Sequence, residues 1–185
     1  MLTLDEIETL FCQRGGEQYS GEPVTQLAHA LQTATLAELE GADDELVTAA
    51  LLHDLGHLVH GLSTGQGDTP TLRGVDDLHQ FQALPFLRGR FPNRVLDAIQ
   101  AHVDAKRYLC ASRPGYRAAL SADSQRSLLL QGGVFDAAQA AAFMARPGAA
   151  EAVRVRLWDD QAKSADRPTP TLAHFLARAR RCAAA

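Results

Sequence analysis

An all-α fold, a single helical bundle, is what this 185-residue sequence predicts. Apolar residues recur at steps of three and four along most of the chain, while period-two alternation of β-branched residues, the mark of strands, is scarce. Glycine, proline and short polar residues fall between the periodic stretches, where helices start and stop. The length suits one sizeable core, and no repeat or low-complexity tract divides it, so residues 1–185 read as one domain.

The elements follow in order. Leu4 to Arg14 forms a first helix, ended by Gly15-Gly16. Pro23 fits the first turn of a second, with Val24, Leu27, Leu31 and Leu39 as its apolar stripe and Gly41 as its stop. Asp43 or Asp44 caps a strongly apolar helix running to about His60, ended by Gly61. Residues Ser63 to Gly74, rich in Gly, Thr and Asp, read as a loop. Asp76 restarts a helix that Pro85 kinks or shortens. Pro92 opens the next, through Tyr108, and Ser121 caps one that ends at Gly132-Gly133. Two more are expected at about Asp136–Arg146 and Ala149–Lys163. The RPTPT stretch at 167–171 is an extended linker before a last helix over Leu172–Arg181.

A formal net charge of −4 and a pI near 5.9 argue against nucleic acid as the partner. The only basic cluster, Arg178, Arg180 and Arg181, reads as a solvated helix end. Cys12, Cys110 and Cys182 lie far apart and form no CxxC pair, which suits a reducing compartment. No apolar run approaches the ~20 residues of a membrane span, and the acidic, amphipathic N-terminus is unlike a signal peptide. The expected location is the cytoplasm, without a membrane partner. Oligomeric state is not legible.

The sharpest motif is Leu51-Leu52-His53-Asp54-Leu55-Gly56-His57. A His-Asp pair in an apolar helix puts charge where burial is costly unless it is paired or metal-bound. His57 follows His53 by one turn. Further candidates lie elsewhere: His29, with Glu22 two turns before it on the same face; His79, at the start of a helix; His102; and Asp159. Four histidines and two aspartates on facing helices can bind two metals with Asp54 bridging. Imidazole with carboxylate suits iron, manganese or zinc. His60 and His174 are set aside as surface or capping residues.

A polar layer keeps step with these ligands. Lys106 is one turn after His102, Ser124, Ser127 and Gln131 share a face, and Arg156 precedes Asp159 by three. A single basic residue is usually solvated. Together, however, these groups would grip a phosphate-like anion by charge-assisted hydrogen bonds.

The His-Asp pair marks the HD-domain superfamily, mostly metal-dependent phosphohydrolases. The wider pattern, YSGEPVTQLAHALQTA, AALLHDLGH, AHVDAKRYL, the LQGG segment ending at Gly133 and RLWDDQAK, resembles the mixed-valent diiron oxygenases of that superfamily. Within them it resembles the phosphonate-cleaving dioxygenases, from about Tyr19 to Lys163. The resemblance implies an HD-domain bundle holding two irons, Fe(II)/Fe(III), with dioxygen as co-substrate. One iron would be held by His29, His53, Asp54 and Asp159, the other by Asp54, His79 and His102. It implies a substrate-binding set of Tyr19, Glu22, His57, Lys106, Ser124, Ser127, Gln131 and Arg156. Tyr19 and Glu22 would belong to a closing segment, with Glu22 pairing a substrate amine. Asp54, His57 and Lys106 would act closest to the reacting atoms. The small-molecule substrate implied is an organophosphonate, 2-amino-1-hydroxyethylphosphonate, cleaved to glycine and phosphate. Two other readings stay open: an HD phosphohydrolase using a metal-activated water, and the same oxygenase chemistry on another hydroxyphosphonate. A non-catalytic HD protein ranks last, because none of the six ligands is missing. One departure stands out. The family often has His-Glu where this chain has His79-Gln80, so a carboxylate beside His79 is expected to be missing.

Overall fold

The computed structural model describes residues 1–19, 21–59 and 69–184. Among them are α1 (Leu4–Arg14), α2 (Gln26–Leu39), α3 (Asp44–Leu52), α4 (Leu55–Val59), α5 (His79–Gln82) and α6 (Leu84–Leu87). Then come α7 (Asn93–Ser112), α8 (Tyr116–Ala119), α9 (Ala122–Leu130), α10 (Ala137–Met144), α11 (Ala149–Gln161) and α12 (Leu172–Cys182). No strand is present among these residues, only isolated bridges at Gln18–Thr25 and Arg88–Phe91. The all-α expectation holds.

Helix starts carry the side-chain caps that the orphan N–H groups require. Thr3 and Glu6 form a capping box on α1, and Asp136 with Gln139 does the same on α10. Asp43 caps α3, Ser121 caps α9 and Thr171 caps α12. Helices α2, α3, α7 and α11 pack into a ring, with α12 laid on α3 and α5 bridging α4 and α7. Between them Ala34, Val47, Leu51, Leu52, Val95, Ile99, Val155 and Trp158 form the main core. The site grows from the inner faces of this ring.

Several boundaries differ from expectation. Thr25 caps α2, so Pro23 precedes the helix instead of sitting in its first turn, His29 lies in the first turn, and Glu22 lies in the preceding turn instead of on the helix face. Leu39 is exposed and adds nothing to the stripe. The helix expected from Asp43 to His60 breaks at His53-Asp54, which form a turn between α3 and α4. His60 and Gly61 lie outside the described residues, as do Ser20 and much of the expected loop. The next helix starts at His79 instead of Asp76. Pro85 sits in the first turn of α6, where its missing N–H costs nothing. Helix α7 runs four residues past Tyr108. Short α8 was not expected. The basic cluster in α12 is a clamp more than a solvated end: Arg178 pairs with Glu38 and Asp44, and Arg181 with Asp44. His174 is at the surface, paired with Glu38.

Candidate metal centre

Asp54 lies at the centre of the site, and its two oxygens face opposite ways. Oδ2 is 3.3 Å from His53 Nε2 and 3.6 Å from His29 Nε2. Oδ1 is 3.4 Å from His79 Nε2 and 3.5 Å from His102 Nε2. Asp159 completes the first group, with Oδ1 3.3 Å from His29 Nε2. The donor atoms of His29, His53 and Asp159 lie within 4.8 Å of one another, and so do those of Asp54, His79 and His102. All six expected ligands therefore gather in two adjoining sets.

The donor chemistry fits two cations. Each histidine has its outer nitrogen occupied. His29 Nδ1 is 2.9 Å from the Ala162 carbonyl, His53 Nδ1 2.8 Å from that of Ala50, and His102 Nδ1 2.7 Å from that of Ile99. His79 Nδ1 is 2.7 Å from Asp77 Oδ1. An Nδ1 that donates its proton outward leaves a lone pair on Nε2. Those lone pairs point at each other, 3.3 Å apart for His29 and His53 and 3.1 Å for His79 and His102. Both oxygens of Asp54 and Oδ1 of Asp159 are buried without a hydrogen-bond partner. Buried acceptors facing acceptors are unfavourable unless a cation sits among them.

Electrostatics agree for the carboxylates and His102, whereas on His53 burial is outweighed, chiefly by Asp54, and the imidazole is raised. Burial alone would raise the Asp54 carboxyl, yet the surrounding imidazoles hold it well below the usual range. Burial opposes the charge on Asp159 too, and the Arg156 guanidinium keeps that carboxyl low. Burial and the neighbouring His79 push His102 down, which favours the neutral, ligating imidazole.

Beside the donors lies a cavity lined by Tyr19, Glu22, His57, Lys106, Ser124, Ser127, Gln131 and Arg156, the whole expected substrate set. About 50 Å³ of it is open to the centre of a water molecule. At roughly 10–15 Å³ per water by this measure, that space suits a few water-sized groups. Tyr19 stacks on His29 with ring centroids 4.0 Å apart, roofing the first metal set. Lys106, nearly inaccessible, donates to Ser127 Oγ at 2.7 Å. Burial, then the nearby Arg156 charge, lowers its ammonium to about 7. Arg107 reaches from α7 to the carbonyls of Gly132 and Gly133 and pins the end of α9, the helix carrying both serines. Gln131 Oε1 is buried and unpartnered.

Two placements refine the expected roles. Arg156 is already engaged: Nη1 meets Asp159 Oδ2 at 2.7 Å, Nε donates to Tyr116 Oη at 3.2 Å, and Nη2 pairs with Asp160. Its first effect is to hold Asp159 so that Oδ1 faces the metal set. Glu22 is paired with Lys163 at 3.1 Å.

Sequence reasoning missed Lys163 and Asp77. Lys163 sits one turn after Asp159, a spacing that marks it in retrospect. The carboxylate expected to be missing beside His79 comes from Asp77, two residues before it, instead of from position 80; Gln80 is buried with Oε1 unpartnered.

The model of the HD domain family matches residues 27–185. The chain is 41% identical over 166 residues to the [1-hydroxy-2-(trimethylamino)ethyl]phosphonate dioxygenase (glycine-betaine-forming) of Leisingera caerulea, covering 90% of this chain and 83% of that protein. It is 38% identical over 180 residues to the hydroxymethylphosphonate dioxygenase of Gimesia maris, covering 96% and 88%. An uncharacterised protein of Acanthamoeba polyphaga mimivirus is 33% identical over 162 residues, 86% of this chain and 72% of that protein.

Proposed function

The chain belongs to the HD-domain family and, within it, to the hydroxyphosphonate dioxygenases, and from that premise we propose that it cleaves the carbon–phosphorus bond of a 1-hydroxyphosphonate with dioxygen, using two irons. The observation that carries this reading is the division of Asp54 between two donor sets, beside a small cavity whose lining includes Lys106, Arg156 and Lys163. The first substrate to test is 2-amino-1-hydroxyethylphosphonate. One molecule with one O₂ gives one glycine and one phosphate, which balances every atom.

Imidazole-rich sets completed by carboxylates are suited to a mixed-valent Fe(II)/Fe(III) pair. When bound, the metals would supply a chelating centre for the hydroxyl and phosphonate oxygens and the redox capacity for O₂. The chain supplies the rest. His29, His53, Asp54 and Asp159 would hold one ion, and Asp54, His79 and His102 the other. Lys106, His57 and Ser127 would donate to the phosphonate oxygens, drawing the anion to one wall. Burial opposes charge on His57, while its hydrogen bond to Asp77 and the nearby Asp54 charge raise it to about 9. Tyr19, stacked on His29, would shield that side of the centre from water. The 185 residues act as one domain.

A second reading rests on Glu22. Its carboxylate is held by Lys163, so a substrate ammonium must compete for it. A hydroxyphosphonate without an amine, like the one in the name of the Gimesia maris relative, meets no such competition.

Metal analysis of anaerobically purified protein, then assay with O₂ on both substrates, tests these readings. Two irons with glycine and phosphate released are expected. Two irons and turnover only of hydroxymethylphosphonate would favour the second reading. One divalent metal with oxygen-independent release of phosphate from esters would make the protein a hydrolase. Glu22→Ala is expected to weaken amine-bearing substrates at least ~10-fold while iron content stays constant; equal losses with and without an amine would remove Glu22 from substrate recognition.

A further inference from the structure

Three of the four candidate metal-binding histidines donate Nδ1 to a main-chain carbonyl. For His53 and His102 that carbonyl is three residues back, at Ala50 and Ile99, supplied by the preceding turn of the helix. His79 has no such turn, because α5 begins at His79 itself. The residue before it, Leu78, is in the left-handed region with φ 53°, the only described non-glycine there. The chain fills the gap with a side chain. Asp77 Oδ1 accepts from His79 Nδ1 at 2.7 Å and from the His79 backbone N–H at 3.3 Å. Its other oxygen, Oδ2, lies 3.1 Å from His57 Nδ1. The two imidazoles so held stack with centroids 4.3 Å apart and planes 25° from parallel. The carboxylate is only 11% exposed.

We propose that Asp77 is a positioning residue that fixes two histidines at once, the ligand His79 and the cavity-wall residue His57, and so joins the metal set of Asp54, His79 and His102 to the anion-binding wall. A carboxylate is a stronger acceptor than a carbonyl and raises the basicity of the imidazole it holds. Because the two oxygens of one carboxylate hold the two rings, neither ring turns without breaking its bond to that carboxylate, and any turn of the carboxylate shifts both acceptors together. The metal-facing nitrogen of His79 and the cavity-facing nitrogen of His57 therefore keep a fixed separation. His29, His53 and Asp159 make no direct contact with Asp77, so their set is linked to it only through Asp54, which the two sets share.

This inference rests on the two-metal reading above. Its test is stepwise chelation of metal-loaded protein, with iron and then with zinc. In Asp77→Asn the amide offers one acceptor oxygen where the carboxylate offered two. One metal is expected to be held about 10–100-fold more weakly, and the other within about 3-fold of wild type. The KM for the hydroxyphosphonate is expected to rise as well. Asp77→Glu, which keeps both acceptors, should recover most of the lost affinity. Should the variants fail to fold, zinc-loaded wild type still decides the matter through its imidazole ¹H–¹⁵N spectrum. The Nδ1 proton of His79 should lie well downfield of those of His29, His53 and His102. Equal shifts, both metals lost together, or unchanged affinity in Asp77→Asn would each overturn the role of Asp77. Wild-type protein that binds fewer than two metals would instead sink the two-metal reading itself.

Discussion

Asp54 shows how one residue in a turn serves two places. Because it follows the last turn of α3, its carboxylate projects between His29 of α2 and the adjacent His53 on one side and His79 of α5 and His102 of α7 on the other. Asp54→Ala should therefore remove both metals, read as loss of both equivalents on metal analysis with helical circular dichroism retained; a variant still holding two would refute the bridge. Lys106 makes a different argument. Its ammonium titrates at about 7 when folded and near 10.5 when free, so between those values the unfolded chain binds a proton that the folded chain does not. Stability then rises with pH across that window, and the cost of the buried charge is fully present below pH 7. Lys106→Met should stabilise the protein by roughly 2–4 kcal/mol at pH 6, with the gain fading towards pH 10, while KM rises at least ~10-fold. Denaturant melts at the two pH values check the sign. At this scale the ligands were legible because His53, Asp54 and His57 share a motif and His102 sits within helical periodicity. Asp77 was not, since it acts backwards across a left-handed residue that no periodicity reports. The engagement of Arg156 by Tyr116 was also hidden, because Tyr116 meets it only in three dimensions, whereas Asp159 and Asp160 lie three and four residues on along the same helix.

The elements matter through where they break. Helix α3 stops at Leu52 and α4 starts at Leu55, so the His-Asp pair occupies a turn and reaches the space between four helices. A continuous helix would have kept Asp54 against its own groove. The apolar run across this point carried no stop signal, which is why the break was not read from sequence, whereas the cap at Ser121 was, and that of α3 was narrowed to Asp43 or Asp44. Gly56 shows what the break permits. A methyl group at that position would lie 2.1 Å from the His79 carbonyl oxygen, far inside contact distance, and that neighbour is backbone. α4 and the start of α5 touch only because Gly56 has no side chain. Gly56→Ala should push His79 away, at about 1–3 kcal/mol of overpacking. The metal set of Asp54, His79 and His102 should be lost and that of His29, His53 and Asp159 kept. A chelation titration and a thermal melt read both effects, and retention of two equivalents would show that the approach is not needed.

For the molecule as a whole, the centre is a stability problem as much as a catalytic one. The four-helix ring encloses Asp54, Asp159, His29, His53 and His102, all buried, with three carboxylate oxygens unpartnered. No overall charge feature foretold this: a net −4 chain with an ordinary 46% apolar composition conceals a cluster of acceptors in its middle. The metal-free chain bears the full desolvation of those groups, whereas the loaded chain turns it into coordination. Metal binding to the folded state alone adds RT ln(1 + [L]/Kd), about 2.7 kcal/mol per site at a hundredfold excess over Kd. Two sites then contribute roughly 5 kcal/mol, which for a chain of this length shifts the melting temperature by about 10–20 °C. An anaerobic melt with added Fe(II), against one with chelator, should show that gap, and it should narrow as acid protonates the histidine nitrogens that face the metals. The core of Val47, Leu51, Ile99 and Trp158 is continuous around the site, so the apo protein is expected to keep its helices and lose only the margin. A melt indifferent to metal would mean that the six side chains satisfy one another without it, and the orphaned oxygens of Asp54 argue against that outcome.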